Sequence, residues 1–439
     1  MLRPLVAAFG IALASLLLVD PAPSYDGWAW LLWGREVAGG GLSTLDGPAF
    51  KPLPVAVCAL LAPLGSAAPW LWVVLVRVAA LVAAWLAYRL AHRLAGGSQT
   101  AGVLAAAGVL LCGALPALSA AGSEPALVVA LALGGAAAWR EERFGIALAC
   151  AVGCALLRVE AWPFLAVAGV LLWRRRPCDR PRLAALALLV PAAWLVPELI
   201  GSGDPLRSGT RARIPNPGQP ALADLPALAA LQAAVALPLW PLWAGVGVLI
   251  ARRAGAALAP AAAGAVWIAI VALMAQAGFS GEPRYALPGA ALIALSGAAG
   301  LVPAASGRAR LPDLTLAAAV TLMAVAATPR LADLSAVWTA QAYQWRLAGD
   351  LGEAVDAAGG REAVLACGRP YVGRLRGPLM AYRIDVAKHV VEPDAPPRPP
   401  GMVFRSALTR LSEPAPDTAA GFVEVARTDR WQVLAACAT

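Results

Sequence analysis

Histidine is nearly absent from this chain, with His92 and His389 the only two. Lysine is as scarce, at Lys51 and Lys388 alone. Charged residues of either sign make up 14% of the 439, where a soluble domain carries roughly 25%. Each shortage excludes something. The hydropathy pattern sets the two histidines on opposite faces of a membrane, so no HExxH helix, Cys-His pair or Ser-His-Asp triad can be built from them. No GxxxxGK[ST] loop occurs, which argues against ATP hydrolysis. The formal charge of +9 does not point to nucleic acid. The arginines sit in short clusters between hydrophobic runs, without a basic face carrying interleaved aromatics.

What is abundant is apolar. Hydrophobic residues reach 60% and come in runs long enough to cross a ~30 Å hydrocarbon core as helix. Backbone groups find no water there, so helix is the natural solution. Runs near 4–19, 69–91, 101–118, 124–139, 144–157, 161–173, 183–200, 235–251, 256–277, 285–304 and 312–329 predict about eleven spans. The first run, opened by Arg3, has the look of a signal peptide, but "VDPAPSYD" is a poor cleavage site and the run is read as a retained helix. The expected fold class is therefore an α-helical polytopic membrane protein in a lipid bilayer, the inner (plasma) membrane.

Arginine sets its direction. Alternate connections hold Arg89, His92 and Arg93; Arg140 and Arg143; Arg174, Arg175, Arg176, Arg180 and Arg182; Arg252 and Arg253; and Arg308 and Arg310. That face is expected to be cytoplasmic, with the N-terminus on it. The opposite face receives a first outer loop at 20–68, a second large one at 201–234, and the tail. The division expected is a transmembrane module over 1–330 and a small extracytoplasmic α/β cap over 331–439. In the cap, 332–358 reads as an amphipathic helix, "AVLAC" (363–367), "GFVEVAR" (421–427) and "WQVLAAC" (431–437) as strands, and 392–401 as a loop.

Of the cysteines, Cys150 and Cys154 read as small core residues of a span. Cys367 and Cys437 each end a predicted strand on the side where disulfides persist. They form a bridge there, or they are two small residues that never meet. A bridge needs Cα atoms within about 7 Å.

The chemistry-bearing residues collect at the outer face. The first outer loop carries Asp26 just past the first span, then Trp28, Trp30 and Trp33, a Gly-rich turn, and Lys51 in "KPLP". Tryptophan favours the membrane interface, so this loop is expected to lie on the bilayer surface as a horizontal helix. Near the same face are Glu124 in "GSEPAL", Arg158 and Glu160 in "LLRVEAWPF", and Glu282 and Arg284 in "SGEPRYALPG". Charges at membrane depth pair with one another or line a cavity. For each singly, an interfacial ion pair is the plainer reading; their convergence on one face points to a site. Arg207, Arg211 and Arg213 in the second outer loop belong either to a flap over that site or to an ordered connector.

The order of these pieces resembles the GT-C superfamily of polyprenyl-phosphate-sugar-dependent glycosyltransferases. The likeness is greatest to the dolichyl-phosphate-mannose protein mannosyltransferase family and its bacterial relatives. It rests on Asp26, "GREVAGGGLST", "KPLPV", Arg77, "SEPAL", "LLRVEAWPFL" and "RYALPG", and runs from the N-terminus to about residue 305. It departs at one point: many such enzymes carry an acidic pair in the first loop, where Asp26 is followed by Gly27. The resemblance implies inverting transfer of a sugar from a polyprenyl-phosphate donor to a cell-envelope acceptor at the extracytoplasmic face. It makes Asp26 the base, and Lys51, Arg284 and Arg158 the donor-phosphate ligands. It assigns Glu124, Glu160 and Glu282 to the acceptor or to a metal. A divalent cation such as Mg or Mn on Asp26 and Glu124 is left open as cofactor. A lipid-linked-sugar flippase, which should show inverted repeats and broken helices, and a non-catalytic assembly subunit are the alternatives.

Overall fold

The computed structural model describes residues 2–302, 312–392, 395–417 and 421–438. Arg308 and Arg310 lie outside the described residues. Over the described residues each of the apolar runs is largely helical. In chain order the helices are α1 (Leu2–Ala14), α2 (Tyr25–Ala38), α3 (Pro52–Leu61), α4 (Ala68–Leu94), α5 (Gln99–Leu110), α6 (Leu115–Ala120), α7 (Pro125–Arg140), α8 (Phe144–Ala155), α9 (Trp162–Arg175), α10 (Arg180–Ser202), α11 (Arg207–Ala212), α12 (Pro226–Val235), α13 (Trp240–Ala251), α14 (Gly255–Gln276), α15 (Leu287–Leu301) and α16 (Pro312–Ala332). Among the described residues, four helical runs are long and apolar enough to cross a membrane alone: Pro52–Leu94, Pro177–Ser202, Gly255–Gln276 and Leu316–Ala357. The pair α12–α13, bent by 94°, makes a fifth if taken as one span. The others are shorter. α5 covers about 18 Å at 1.5 Å per residue before the chain breaks at Gly113, whose φ of +51° favours glycine. Such breaks are tolerated at depth where neighbouring helices surround them.

α15 is the axis of the body. Every residue from Leu287 to Gly300 is buried. Its small residues make that possible. A Cβ at Gly245 of α13 would overlap the Gly297 carbonyl, and one at Gly264 of α14 would overlap that of Gly289. Close backbone approach through small residues is how helices gain contact in lipid, where apolar burial alone drives nothing.

Arg77 of α4 ties the entry of the chain to the bundle. Its guanidinium donates to Ser15 Oγ at 2.9 Å, Val19 O at 3.0 Å, Asp20 O at 3.1 Å and Ala120 O at 3.2 Å. These bonds fix the turn from α1 into α2, the helix that carries Asp26. At the other end of the body, Glu141 accepts from Arg89 at 3.1 Å and Arg93 at 2.5 Å, and meets Arg143 at 3.7 Å. Two of the arginine-bearing connections are thereby joined on one face.

α2 is not a bilayer-surface helix. Trp30 and Trp33 are fully buried. Trp30 packs edge-on to Trp72 at 5.5 Å, and Trp33 donates through Nε1 to Ser43 O at 2.9 Å. Trp28 packs on Tyr382, 5.3 Å away in the cap. The cap covers the face that the sequence assigned to lipid headgroups.

The cap follows α16 through α17 (Leu334–Ala357), α18 (Gly360–Cys367) and α19 (Gly377–Arg383), with strands β1 (Arg369–Val372), β2 (Gly401–Ala407), β3 (Pro414–Ala415), β4 (Val423–Arg427) and β5 (Gln432–Ala436). The order is β1-β2-β5-β4, with β3 on β2; β1 runs parallel to β2 and the other pairs are antiparallel. The expected strand at 363–367 is helix α18; its alanines and leucine suit a helix, and the strand proper begins after Gly368. β4 and β5 stand as expected. Cys367 and Cys437 are bridged, with Cα atoms 4.4 Å apart. The register explains it: Gly401 faces Arg369 on one side and Ala436 on the other, which brings the residues flanking β1 and β5 together.

Candidate active site

The site is assembled from five chain segments that meet where the body faces the cap. α2 supplies Asp26 in its first turn, with Ser24 as N-cap. Lys51 caps α3, and Pro52 fixes the helix start behind it. Glu124 stands at the start of α7, and Arg158 and Glu160 in the turn between α8 and α9. Glu282 and Arg284 occupy the turn before α15.

Two charge clusters result. In the deeper one Lys51 pairs with Glu124, and Arg158 reaches the same Glu124 oxygen at 3.4 Å. Arg158 also meets Glu160 at 3.6 Å. All four are buried. In the outer one Arg284 bonds Asp26 Oδ2 at 3.1 Å and pairs through Nε with Glu282, which also accepts from Gln219. Burial works against the charge on Arg284, but Tyr285, Asp26, Glu124 and Glu282 more than offset it and hold its pKa well above the ordinary value. Tyr285 joins the clusters. Its ring lies 3.5 Å from the Arg158 guanidinium and 5.3 Å from that of Arg284. Trp30 does the same for Lys51, at 5.2 Å.

Two cavities open on these groups. The larger, of about 430 Å³, is lined by Asp26, Lys51, Arg211, Glu282 and Arg284, with Arg374 and Leu375 from the cap. The smaller, of about 150 Å³, is lined by Arg158, Glu160 and Trp194. Lys51, Ser280 and Tyr285 line both. A third cavity of about 400 Å³ is almost wholly apolar and lies among α4, α7, α8, α9, α14 and α15, from Leu94 and Arg140 to Ala161 and Trp267.

Most of the residues expected at the site do converge there. Three do not take the expected place. Glu124 is fully buried behind Lys51 and lines neither polar cavity; it balances two cations instead of facing an acceptor. Arg207 is not a flap residue. The buried Glu198 holds it at 3.3 Å, and it donates to Pro48 O and Gly47 O, both at 3.1 Å. Glu198 also accepts from Thr44 at 2.6 Å and from Ser208, whose Oγ in turn accepts from Phe50 N at 2.6 Å. The cluster therefore staples the segment that leads into Lys51. Arg213 lines neither cavity and stacks at 4.7 Å on Phe279, which lines the smaller one. Arg211 alone of the three faces the site.

Among the described residues no three His, Cys, Asp or Glu side chains converge as metal ligands. Asp26 and Glu124 are separately engaged by cations, and this donor set does not fit a divalent cation. Tyr285 and Glu198 were not singled out from sequence, and Trp30 was read only as a membrane-interface residue. A signal existed for Glu198, an acid inside the apolar run "LVPELI". None existed for the aromatics beyond their adjacency to charged residues.

No family model matches the chain, and no curated protein matches it significantly. Among solved structures it is similar to ArnT from Cupriavidus metallidurans in the apo state, at 15% identity, covering 98% of this chain and 97% of that one with a TM-score of 0.54. The chain shares the fold of that protein. The likeness runs from end to end, so the cap belongs to it as well as the helical body. The same protein bound to undecaprenyl phosphate aligns over 99% of this chain and 98% of that one, at 14% identity and a TM-score of 0.49.

Proposed function

We propose that the chain is a membrane glycosyltransferase that moves a sugar from a polyprenyl-phosphate donor to a cell-envelope acceptor at the extracytoplasmic face. One observation carries the reading: an acid, Asp26, and a cationic wall of the buried Lys51 and Arg158 and the half-buried Arg284 meet at one pair of cavities. The chemistry needs both. The bond from sugar C1 to the phosphate oxygen breaks, a bond from the acceptor oxygen to C1 forms on the opposite face, the acceptor proton goes to Asp26, and polyprenyl phosphate leaves. A carboxylate within hydrogen-bond reach is a competent base. Fixed cations stabilise the charge that grows on the leaving phosphate.

Arg284 couples the two roles. It bonds Asp26 at 3.1 Å, and a donor phosphate competes for the same guanidinium, releasing the Asp26 oxygen to take the proton. Lys51 and Arg158 hold the phosphate from the other side. Glu124 keeps them charged and aimed, Glu160 orients Arg158, and Glu282 orients Arg284. The apolar cavity among α4, α7, α8, α9, α14 and α15 has the lining that a prenyl chain requires. The second residue of an acidic pair is missing at Gly27, and Asp26 acts alone.

Donor binding tests the reading. Losing one charge-assisted contact costs about 1.5–3 kcal/mol, so Lys51→Met should weaken polyprenyl-phosphate binding roughly ten- to hundredfold. Unchanged donor affinity in that variant would count against it. A transporter is the rival, because α12 and α13 form one bent pair; it predicts donor movement across the bilayer without cleavage.

A further inference from the structure

The cap holds a second polar cavity, of about 580 Å³, walled by the end of β2, by β3 and by the β4–β5 turn. Four arginines line it: Arg405, Arg410, Arg427 and Arg430, with Asp429 the acid on its wall. Two of the four are matched. Arg427 pairs with Glu424 at 2.7 Å and Arg430 with Asp350. The other two are not. Arg405 meets a fully exposed Asp417 at 4.0 Å and Gln432 at 3.5 Å, and its Nε is buried with no acceptor. Arg410 has no ion pair among the described residues, and its side chain is exposed. Ser406, also on the wall, is 2% exposed and its Oγ has no partner.

Buried donors without acceptors are unusual and call for an explanation. Here a guanidinium Nε and a hydroxyl stand unmatched beside an unpaired arginine. An oxyanion satisfies the two arginines, and guanidinium forks fit phosphate and carboxylate oxygens in particular. The cavity is also next to the candidate active site. Arg374 and Leu375 line that site. One residue on, Arg376 donates to Ala415 O at 3.2 Å and stands 6.0 Å from the ring of Trp431, which lines the cap cavity. A single short turn separates the two.

We propose that this cap cavity is an anion-binding subsite for a phosphate or carboxylate carried by the sugar acceptor. The acceptor half rests on the transferase reading; the anion half does not.

The test uses the full chain in neutral detergent, with inorganic phosphate as the titrant and Lys51→Met as the background that weakens the membrane-side site. Phosphate should still bind, and Arg410→Glu, which breaks no existing ion pair, should weaken it at least tenfold. Arg405→Gln with Arg410→Gln should do the same. No phosphate binding in the background, or affinity unchanged by both variants, overturns the subsite. Competition then assigns the source. Displacement by glucose 6-phosphate supports a phosphorylated glycan, and displacement only by phosphatidylglycerol vesicles supports a lipid headgroup. Displacement by neither overturns the acceptor half. In transfer assays Arg410→Glu should raise the acceptor KM and leave kcat in place. If the protein transfers no sugar yet binds phosphate through Arg410, the anion site stands and the transferase reading fails.

Discussion

Glu124 and Asp26 are both carboxylates beside arginine, yet their removal should have opposite signatures. Glu124 is fully buried between Lys51 and Arg158. Glu124→Gln leaves the buried Lys51 without a counter-charge and Arg158 with Glu160 alone, and breaking such a buried pair costs roughly 3–5 kcal/mol. The melting temperature of the purified protein should fall accordingly; an unmoved melt would show that the deep cluster is not held by charge. Asp26 sits at the cavity wall with its side chain 13% exposed. Asp26→Asn should leave the melt nearly in place and lower transfer roughly 10²–10⁴-fold, the range of general-base loss. Near-wild-type transfer by folded Asp26→Asn would remove it as base. Asp26, Lys51, Arg158 and Arg284 were legible in the sequence because each is a charge within apolar surroundings. Tyr285 was not, and Trp30 was legible only as an interface residue, because an aromatic in a membrane protein has an apolar explanation until its neighbours are known. Glu124 was legible as a site residue but not in its role, which depends on which side of Lys51 it occupies.

The same limit applies to whole elements. α2 is apolar around most of its circumference, so its pattern did not say whether lipid or protein would cover it. The cap does. Likewise "AVLAC" has the composition of either a short strand or the end of a helix, and tertiary context decides for α18. The runs around α15 were legible as helices, but not the backbone contacts that order them. These contacts predict that Gly297→Val, which forces a side chain against the Leu242 carbonyl, overpacks the body. A cost of about 1–3 kcal/mol should appear as a lower melting temperature; an unchanged melt would mean that the α13–α15 crossing can yield. In the cap, the bridge between Cys367 and Cys437 spans 70 residues. Cys367→Ser with Cys437→Ser should cost roughly 2–4 kcal/mol, seen as faster amide exchange in β5 while α15 stays protected. Equal loss of protection in both would show that cap and body unfold together.

Across the whole molecule, the cap, the first loop and the 201–225 segment gather at one end. Lys388 pairs with Asp46, Arg35 donates to Tyr382 O at 2.9 Å, and Arg374 donates to Asn216 at 3.0 Å. Two of the arginine-rich connections join at another face. We propose that the cap end is extracytoplasmic. Cys178 is exposed in the α9–α10 connection and should react with an impermeant thiol reagent only from the cytoplasm. In a Cys178→Ser background, Leu411→Cys, at a 98% exposed position of the cap, should react only from outside. The reverse pattern would invert the topology and move the site to the cytoplasmic face.

The central claim is that the acid and the cationic wall transfer a sugar from a lipid phosphate. The most direct measurement uses the purified protein in liposomes with a radiolabelled polyprenyl-phosphate sugar and a cell-envelope acceptor. The predicted result is acceptor-dependent release of polyprenyl phosphate with inverted sugar stereochemistry, lost in Asp26→Asn. Movement of intact donor between the two leaflets, with no cleavage of the sugar–phosphate bond and no effect of Asp26→Asn, would contradict the account.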